Sequence, residues 1–276
     1  MPEIHKIVNY AGKQIHYRDE GRSNVKTIVL LHGLAQNLTV WSDITLKLMG
    51  NYRVVLVDLP GHGYTDLYNK DVLTMEFMAE CVHEVLIAAG VSDCVIVGHS
   101  LGGYVALAYA EKYEHTVKGL GLINSHALAD DQQHLQDRRS VCEAIRTNRP
   151  NFIINFVPSL FSNDCSMELN KKISQIKESC LTVSADALIA SEMGMARRIS
   201  RLPFLSKTSM PIMFVYGKDD TRIPLELASI MATVPQHSEM LLLDHVGHMA
   251  HIEEPHTVVR WIRNFIETCY ADPRTL

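Results

Sequence analysis

A serine lies in a glycine-rich motif between an apolar run and a helix-like pattern. The motif GHSLG covers residues 98–102, and it directly follows the apolar residues CVIV at 94–97. A G-x-S-x-G turn from a strand into a helix strains the serine backbone and presents its hydroxyl at the carboxyl edge of a sheet. The helix N-terminus beneath that turn also favours developing negative charge. We therefore predict that Ser100 is a nucleophile for acyl transfer.

A serine hydroxyl is a poor nucleophile at neutral pH, so it needs a base and an acid that orients the base. In chains with this turn the order is serine, then Asp or Glu, then His. Two aspartates follow the apolar run PIMFVYG, and three histidines crowd the end of the last apolar run: Asp219, Asp220, His245, His248 and His251. The ends of these strands meet at one edge of a parallel sheet, where open α/β folds place their sites.

The elements that position these residues are short apolar runs alternating with helical patterns, which is typical of β-α-β units. Alternating segments between Ile4 and Glu20 predict an opening hairpin. Six further runs predict strands at 27–33, 52–58, 94–100, 117–124, 211–217 and 239–247. Helical spacing occurs at 40–49, 74–89, 101–114, 225–233 and 255–269, and Thr74 is placed as an N-cap. We expect an α/β fold with a mostly parallel eight-stranded sheet and helices on both faces.

The strand rhythm breaks after the sixth predicted strand, where charged segments with helical spacing follow one another. Pro150 and Pro158 should limit the helices there. Because a chain of 276 residues suits one large α/β domain with an insertion, we expect residues 128–208 to be a helical cap. The core would then consist of residues 1–127 and 209–276.

Composition excludes several classes of partner. The net charge of -5 argues against nucleic acids and anionic membranes, which need a clustered positive field. The chain has no apolar run of about 18 residues and no signal-like N-terminus, so we expect a cytoplasmic protein. Its six cysteines form no CxxC and no zinc-like cluster with histidine. We expect a small-molecule substrate and neither a metal nor another cofactor.

The motifs, taken in order, resemble those of the α/β-hydrolase superfamily, and in particular small carboxylesterases and enol-lactone hydrolases with a helical cap. The resemblance is carried by HG at 32–33, DLPGHGYT at 58–65, GHSLGG at 98–103, GKDD at 217–220 and GH at 247–248. It covers nearly the whole chain outside 128–208. It implies that Asp220, three residues after a glycine, is the acid and that His248, directly after a glycine, is the base.

The alternatives to these assignments have structural interpretations. Asp219 is then a solvated turn residue, and His245 and His251 are surface or packing histidines. We expect His62 to pack its loop and His99 to be buried beneath the site.

An oxyanion in such a site needs two hydrogen-bond donors. The backbone N–H of Leu101, directly after the nucleophile, should be one of them. The resemblance implies that the backbone N–H of Leu34 is the other.

Dehalogenases and epoxide hydrolases of this fold use a carboxylate nucleophile, so Ser100 argues against both. We expect a serine hydrolase that cleaves a small carboxylic ester or lactone through an acyl-enzyme. A carbon-carbon bond hydrolase or a cofactor-free perhydrolase with the same triad stays open. The complete Ser, Asp and His set argues against a ligand-binding receptor on this fold.

The predicted cap is rich in arginine, which leaves two interpretations open. These side chains either recognise an acidic acyl group or simply form a solvated face. The residues concerned are Arg138, Arg139, Arg146, Arg149, Arg197, Arg198 and Arg201.

Overall fold

The central sheet has eight strands in the order β1-β2-β4-β3-β5-β6-β7-β8. This computed structural model describes residues 5–21, 26–163 and 165–271. The strands are β1 (His5–Tyr10), β2 (Lys13–Gly21), β3 (Thr27–Leu31), β4 (Arg53–Val57), β5 (Cys94–His99), β6 (Val117–Ile123), β7 (Ile212–Gly217) and β8 (Ser238–Leu243). The first two strands add to the edge antiparallel and the other pairs are parallel, which confirms the predicted fold class. Ile4, at the start of the predicted hairpin, lies outside the described residues.

Helices connect the parallel strands. They are α1 (Ser42–Leu48), α2 (Met75–Ala88), α3 (Leu101–Lys112), α4 (Gln132–Phe156), α5 (Met167–Cys180), α6 (Ala185–Ala196), α7 (Leu202–Leu205), α8 (Leu225–Thr233), α9 (Ala250–Glu253) and α10 (Pro255–Tyr270). Short 3₁₀ turns cover Leu38–Trp41, Glu114–Thr116 and Pro158–Leu160. Thr74 is the N-cap of α2, as predicted, and its hydroxyl accepts the Phe77 N–H at 3.2 Å.

The core lies on both faces of the sheet. Every residue of β3, β5 and β7 is buried, and successive side chains of a strand point to opposite faces. The apolar runs therefore need cover on both sides, which the helices provide: α2 packs against α3, and α1 packs against α10. The strands that end at the predicted site are thus fully packed on both faces.

The last predicted strand is too long. The prediction of 239–247 fails at its end, because β8 stops at Leu243 and a turn follows. His245 in this turn has a φ of 57°, which an extended strand does not allow. The predicted strand extends past Leu243 because Val246 continues the apolar pattern. The side chain of Val246 is buried in the turn, however, and not in the sheet. The turn leads His248 back over the end of β7.

Between β6 and β7 the chain forms α4, α5, α6 and α7, which we term the helical segment. α4 is interrupted at Asn148, where φ is -157° and ψ is 84°, and the Asn148 side chain accepts the Asn151 N–H at 3.0 Å. Pro150 follows this break, and Pro158 begins the next 3₁₀ turn. Both prolines limit helices as predicted, because proline lacks the N–H that a helix interior requires.

Candidate active site

Ser100 lies on a tight turn between β5 and α3, with a φ of 50° and a ψ of -116°. The backbone is strained there, and the flanking glycines make the turn possible. A Cβ on Gly98 would lie 2.1 Å from the Gly102 carbonyl oxygen, and a Cβ on Gly102 would lie 2.3 Å from the Leu31 oxygen. Any larger residue would force the turn open. The motif therefore fixes the direction of the Ser100 hydroxyl through close backbone packing.

The structure brings Ser100, His248 and Asp220 into one hydrogen-bonded row. His248 Nε2 lies 3.0 Å from Ser100 Oγ, and His248 Nδ1 lies 2.8 Å from Asp220 Oδ2. The carboxylate accepts a hydrogen bond from Nδ1–H, which leaves Nε2 without a proton and able to accept a hydrogen bond from the serine O–H. The three residues come from three different strand ends, and both His248 and Asp220 are 6% exposed. This arrangement can move a proton from the serine onto the histidine.

The Asp220 carboxylate is held by four donors. Oδ1 accepts the N–H groups of Arg222 at 2.8 Å and Ile223 at 3.2 Å. Oδ2 accepts from His248 and from Asn124 Nδ2, both at 2.8 Å. Burial by itself would raise the pKa of Asp220, but the charge and hydrogen bond of His248, with the other donors, hold it below its usual value. The carboxylate is therefore ionised at neutral pH.

The alternative aspartate and histidines lie outside this hydrogen-bonded row. Asp219 is exposed on the turn, and its backbone N–H donates to the Val246 carbonyl at 2.9 Å. His245 is exposed as well. His251 is fully buried, with its ring centroid 4.3 Å from that of Trp41, and burial lowers the pKa of His251 to about 3. The geometry thus separates Asp220 and His248 from neighbours of the same type.

Asn124 is a residue of the site that the sequence prediction missed. It directly follows β6, has a φ of 45° and is fully buried. Its Nδ2 donates to Asp220 Oδ2 at 2.8 Å and to the Gly247 oxygen at 3.1 Å, while its Oδ1 accepts the Ala250 N–H at 3.2 Å. One side chain therefore links Asp220 to the turn that carries His248. The sequence signal that could have identified Asn124 is a polar residue directly after the buried run VKGLGLI, at the carboxyl end of a strand.

The predicted oxyanion donors follow the ends of two neighbouring parallel strands, β3 and β5. Leu101 is the first residue of α3, where a backbone N–H has no intrahelical partner. Leu34 follows Gly33, whose oxygen accepts Nδ1–H of His32 at 2.8 Å, while His32 Nε2 accepts the Leu59 N–H at 2.9 Å. Because the C=O and N–H of a trans peptide point in opposite directions, His32 fixes the direction of the Leu34 N–H.

Two further histidines lie close to these elements, in the places expected for them. His99 is buried, and its Nε2–H donates to the backbone oxygen of His248 at 2.8 Å, so it supports the turn that holds the base. His62 is buried in its own loop, where Nδ1 donates to the Pro60 oxygen at 3.0 Å. Burial lowers the pKa of His62 to about 3, so this side chain is neutral.

The helical segment touches the turn that carries His248. The His248 N–H donates to the Leu160 oxygen at 2.7 Å. A Cβ on Gly247 would lie 2.7 Å from the Phe161 carbonyl carbon and from the Ser162 nitrogen, so the two backbones pack without room for a side chain. Ser162 N–H also donates to Glu253 at 2.9 Å. The 3₁₀ turn Pro158–Leu160 and the residues after it therefore pack directly against the backbone of Gly247 and His248.

Most arginines of the helical segment bind groups of the protein itself. Arg138 contacts Asp130 and Glu192, and Arg198 also contacts Asp130. The remaining contacts are those of Arg146 with Glu143, Arg149 with the Leu181 and Val183 carbonyls, and Arg201 with Glu76 and Glu111. Arg139 and Arg197 are exposed. These arginines hold the segment together, link it to α2 and α3 through Arg201, or lie on its surface.

The described residues contain neither a cluster of metal ligands nor a helix that could span a membrane. Within residues 5–21, 26–163 and 165–271, no three His, Cys, Asp or Glu side chains are arranged to hold a metal ion. In the same ranges no helix is long and apolar enough to cross a bilayer.

Comparisons with known proteins assign the class of protein to which this chain belongs. The family model for the alpha/beta hydrolase fold matches residues 26–255, and the chain belongs to that family. The chain is similar to a thermophilic esterase from Thermogutta terrifontis solved with malate bound. The two are 27% identical with a TM-score of 0.87, over 97% of this chain and 99% of the esterase.

Two curated relatives agree with this class. A pimeloyl-[acyl-carrier protein] methyl ester esterase of Neisseria meningitidis is 26% identical over 91% of this chain and 81% of its own length. Monoacylglycerol lipase ABHD6 of Bos taurus is 24% identical over 96% of this chain and 83% of its own length. The protein is thus a hydrolase of the α/β-hydrolase superfamily.

Proposed function

We propose that the protein is a serine hydrolase that cleaves a small carboxylic ester or lactone through an acyl-enzyme. The observation that carries the proposal is the row Ser100 Oγ, His248 Nε2, His248 Nδ1 and Asp220 Oδ2, with separations of 3.0 Å and 2.8 Å. Nucleophile, base and orienting acid each have the partner that their role requires. The esterases and the lipase among the relatives are consistent with ester substrates.

The first half-reaction forms the acyl-enzyme. Ser100 Oγ attacks the substrate carbonyl carbon while His248 Nε2 takes the hydroxyl proton. The carbonyl oxygen becomes an oxyanion, which the backbone N–H groups of Leu34 and Leu101 stabilise. Asp220 stays ionised and stabilises the imidazolium. His248 then returns the proton to the leaving alcohol oxygen as the carbon-oxygen bond breaks.

The second half-reaction releases the acid. A water molecule gives a proton to His248 Nε2 and attacks the acyl carbon, again through an oxyanion at the same donors. His248 then protonates Ser100 Oγ, which leaves as the free serine. These steps need only groups of this chain and water.

The helical segment serves as a cap in this proposal, as expected for residues 128–208. Its 3₁₀ turn Pro158–Leu160 lies against the backbone of His248, so it borders the place where the substrate must enter. Binding residues lie disproportionately on connecting segments that a rigid scaffold positions. We therefore assign acyl-chain selection to the helical segment.

The test compares Ser100→Ala with a matched serine variant, Ser229→Ala. Ser229 lies exposed on α8 and its hydroxyl bonds only within that helix, to the Leu225 oxygen. With p-nitrophenyl butyrate as substrate, Ser100→Ala should lose on the order of a million-fold in kcat, whereas Ser229→Ala should retain full activity. A folded Ser100→Ala protein with more than about a tenth of the wild-type activity would contradict the proposal.

A further inference from the structure

Arg222 reaches from the loop of the acid towards the helical segment. Its backbone N–H donates to Asp220 Oδ1 at 2.8 Å. Its Nη2 donates to Ser159 Oγ at 3.0 Å, and its guanidinium carbon lies 4.9 Å from the centroid of the Phe156 ring. Ser159 precedes Leu160, whose carbonyl oxygen accepts the His248 N–H. The guanidinium therefore lies between the loop of the acid and the turn that borders the base.

Its charge lacks a carboxylate partner, unlike the charges of the arginines around it. Within residues 5–21, 26–163 and 165–271, no Asp or Glu oxygen lies within 4.0 Å of the Arg222 guanidinium. The nearby acids already serve other arginines: Glu192 binds Arg138 at 2.7 Å, and Asp130 binds Arg138 and, at 2.6 Å, Arg198. Both acids are therefore already paired, and the Arg222 guanidinium is left without an ion-pair partner in these ranges.

Protein groups border the Arg222 guanidinium on the side of the helical segment. Its side chain is accessible to solvent, yet burial lowers the pKa of Arg222, and the positive charge of Arg138 lowers it further against the opposing effect of Asp220 and Glu192. Arg222 is therefore a solvent-accessible cation whose neighbours include the charged groups of Asp220, Glu192 and Arg138. A solvent-accessible guanidinium without an ion-pair partner offers its N–H donors to an anion that binds beside it.

We propose that Arg222 binds a carboxylate that the substrate carries in addition to its ester, so that the enzyme prefers anionic esters. This inference rests on the proposed serine hydrolase function. The planar guanidinium matches a carboxylate with two parallel N–H donors. A phosphate monoester would bring a charge of about -1.5 to -2 to one guanidinium, so a singly charged carboxylate is the better match.

The test uses two pairs of esters that match in length and differ in one carboxylate. The first pair carries it on the acyl side: p-nitrophenyl hemiglutarate against p-nitrophenyl valerate. The second pair carries it on the alcohol side: 3-carboxypropyl butyrate against butyl butyrate, followed by titration of the released acid. For each pair the ratio of kcat/KM, anionic over neutral, is measured in the wild type, Arg222→Gln and Arg139→Gln. The last variant removes an exposed arginine from the helical segment as a control.

The wild type should prefer the anionic ester in at least one pair. Arg222→Gln should lower that ratio by about 10- to 100-fold, the range expected for one hydrogen-bonded charge pair. Arg139→Gln should leave it within twofold, because its charge lies on the surface. Glutarate should inhibit hydrolysis of the valerate ester by the wild type, and about tenfold more weakly in Arg222→Gln. Arg222→Met, which keeps the aliphatic contact with Phe156, should behave as Arg222→Gln and replaces it if that variant is unstable.

A ratio that stays within twofold in both pairs for both Arg222 variants would overturn the inference. This outcome is distinct from failure of the proposed function. If the wild type cleaves the neutral esters and a fluorophosphonate labels Ser100 while the ratios do not respond, the Arg222 assignment alone is wrong. If the wild type cleaves none of the four esters and Ser100 is not labelled, the serine hydrolase assignment is wrong.

Discussion

Replacement of Asn124 tests whether the acid must be held in place from the neighbouring strand. Asn124→Ala removes one hydrogen bond to the Asp220 carboxylate and two to the backbone groups of Gly247 and Ala250. A hydrogen bond to a charged group contributes about 1.5 to 3 kcal/mol and a neutral one about 1 kcal/mol. The free energy of unfolding should therefore fall by about 3 to 5 kcal/mol.

The backbone at this position contributes to the change and needs its own control. Asn124 has a φ of 45°, a conformation that costs alanine about 1 to 2 kcal/mol and glycine almost nothing. Asn124→Gly loses the same three hydrogen bonds without that strain, so it should be more stable than Asn124→Ala by about 1 kcal/mol. Asn155→Ala, whose side chain bonds only to Asn151 within α4, should behave as wild type.

The effect on activity should appear in kcat rather than KM, because Asn124 contacts the acid and the turn of the base. A carboxylate that loses a donor to Oδ2 can rotate away from His248 Nδ1, and we expect kcat to fall by about 10- to 100-fold, which equals about 1.4 to 2.7 kcal/mol of barrier. Urea denaturation and p-nitrophenyl butyrate kinetics measure the two quantities. If both variants keep kcat within threefold and lose less than 1 kcal/mol of stability, the reasoning about Asn124 is refuted.

The remaining predictions concern the acid and a buried histidine. Asp220→Asn should lower kcat by about 10⁴-fold through the wrong imidazole tautomer, while Asp219→Asn, on the exposed turn, should stay within threefold of wild type; the reverse pattern would contradict the assignment. Burial lowers the pKa of His251 to about 3, whereas a histidine of the unfolded chain has a pKa of about 6.5. Between these two values the unfolded chain binds one more proton than the folded chain. The free energy of unfolding therefore falls as the pH decreases through this window. His251→Leu should remove about 1.4 kcal/mol per pH unit of this slope between pH 6 and 4, measured by urea denaturation, and an unchanged slope would show that His251 is not a buried neutral side chain.

The fold was predictable because its signals are local. Fully apolar runs become the buried strands β3, β5 and β7, and Thr74 caps α2 through a contact only three residues away. The end of β8 was predicted wrongly for the same reason. The buried side chain of Val246 continues the apolar pattern although the positive φ of His245 has already ended the strand.

The site was predictable in part. The glycines around Ser100 encode its turn, whereas the choice of Asp220 over Asp219 came from resemblance, since both residues follow the same strand. Asn124 was missed because its partners, Asp220 and Ala250, lie 96 and 126 residues further along the chain. Only the tertiary structure brings these strand ends together. The role proposed for Arg222 was not predicted, because this residue lies outside the helical segment whose arginines were the candidates for binding an acidic group.

The most direct test of the account is a search for an acyl group on Ser100 during turnover. Mixing enzyme with excess p-nitrophenyl acetate should release a rapid burst of p-nitrophenol close to one equivalent per enzyme whenever deacylation is slower than acylation. Acid quenching followed by peptide mass spectrometry should place one acetyl group on the peptide with Ser100. His248→Gln should abolish both burst and adduct, because the serine then lacks its base. Steady turnover by the wild type with the acetyl group on another residue, or with no acyl-enzyme even when deacylation is slowed at low pH, would contradict the account.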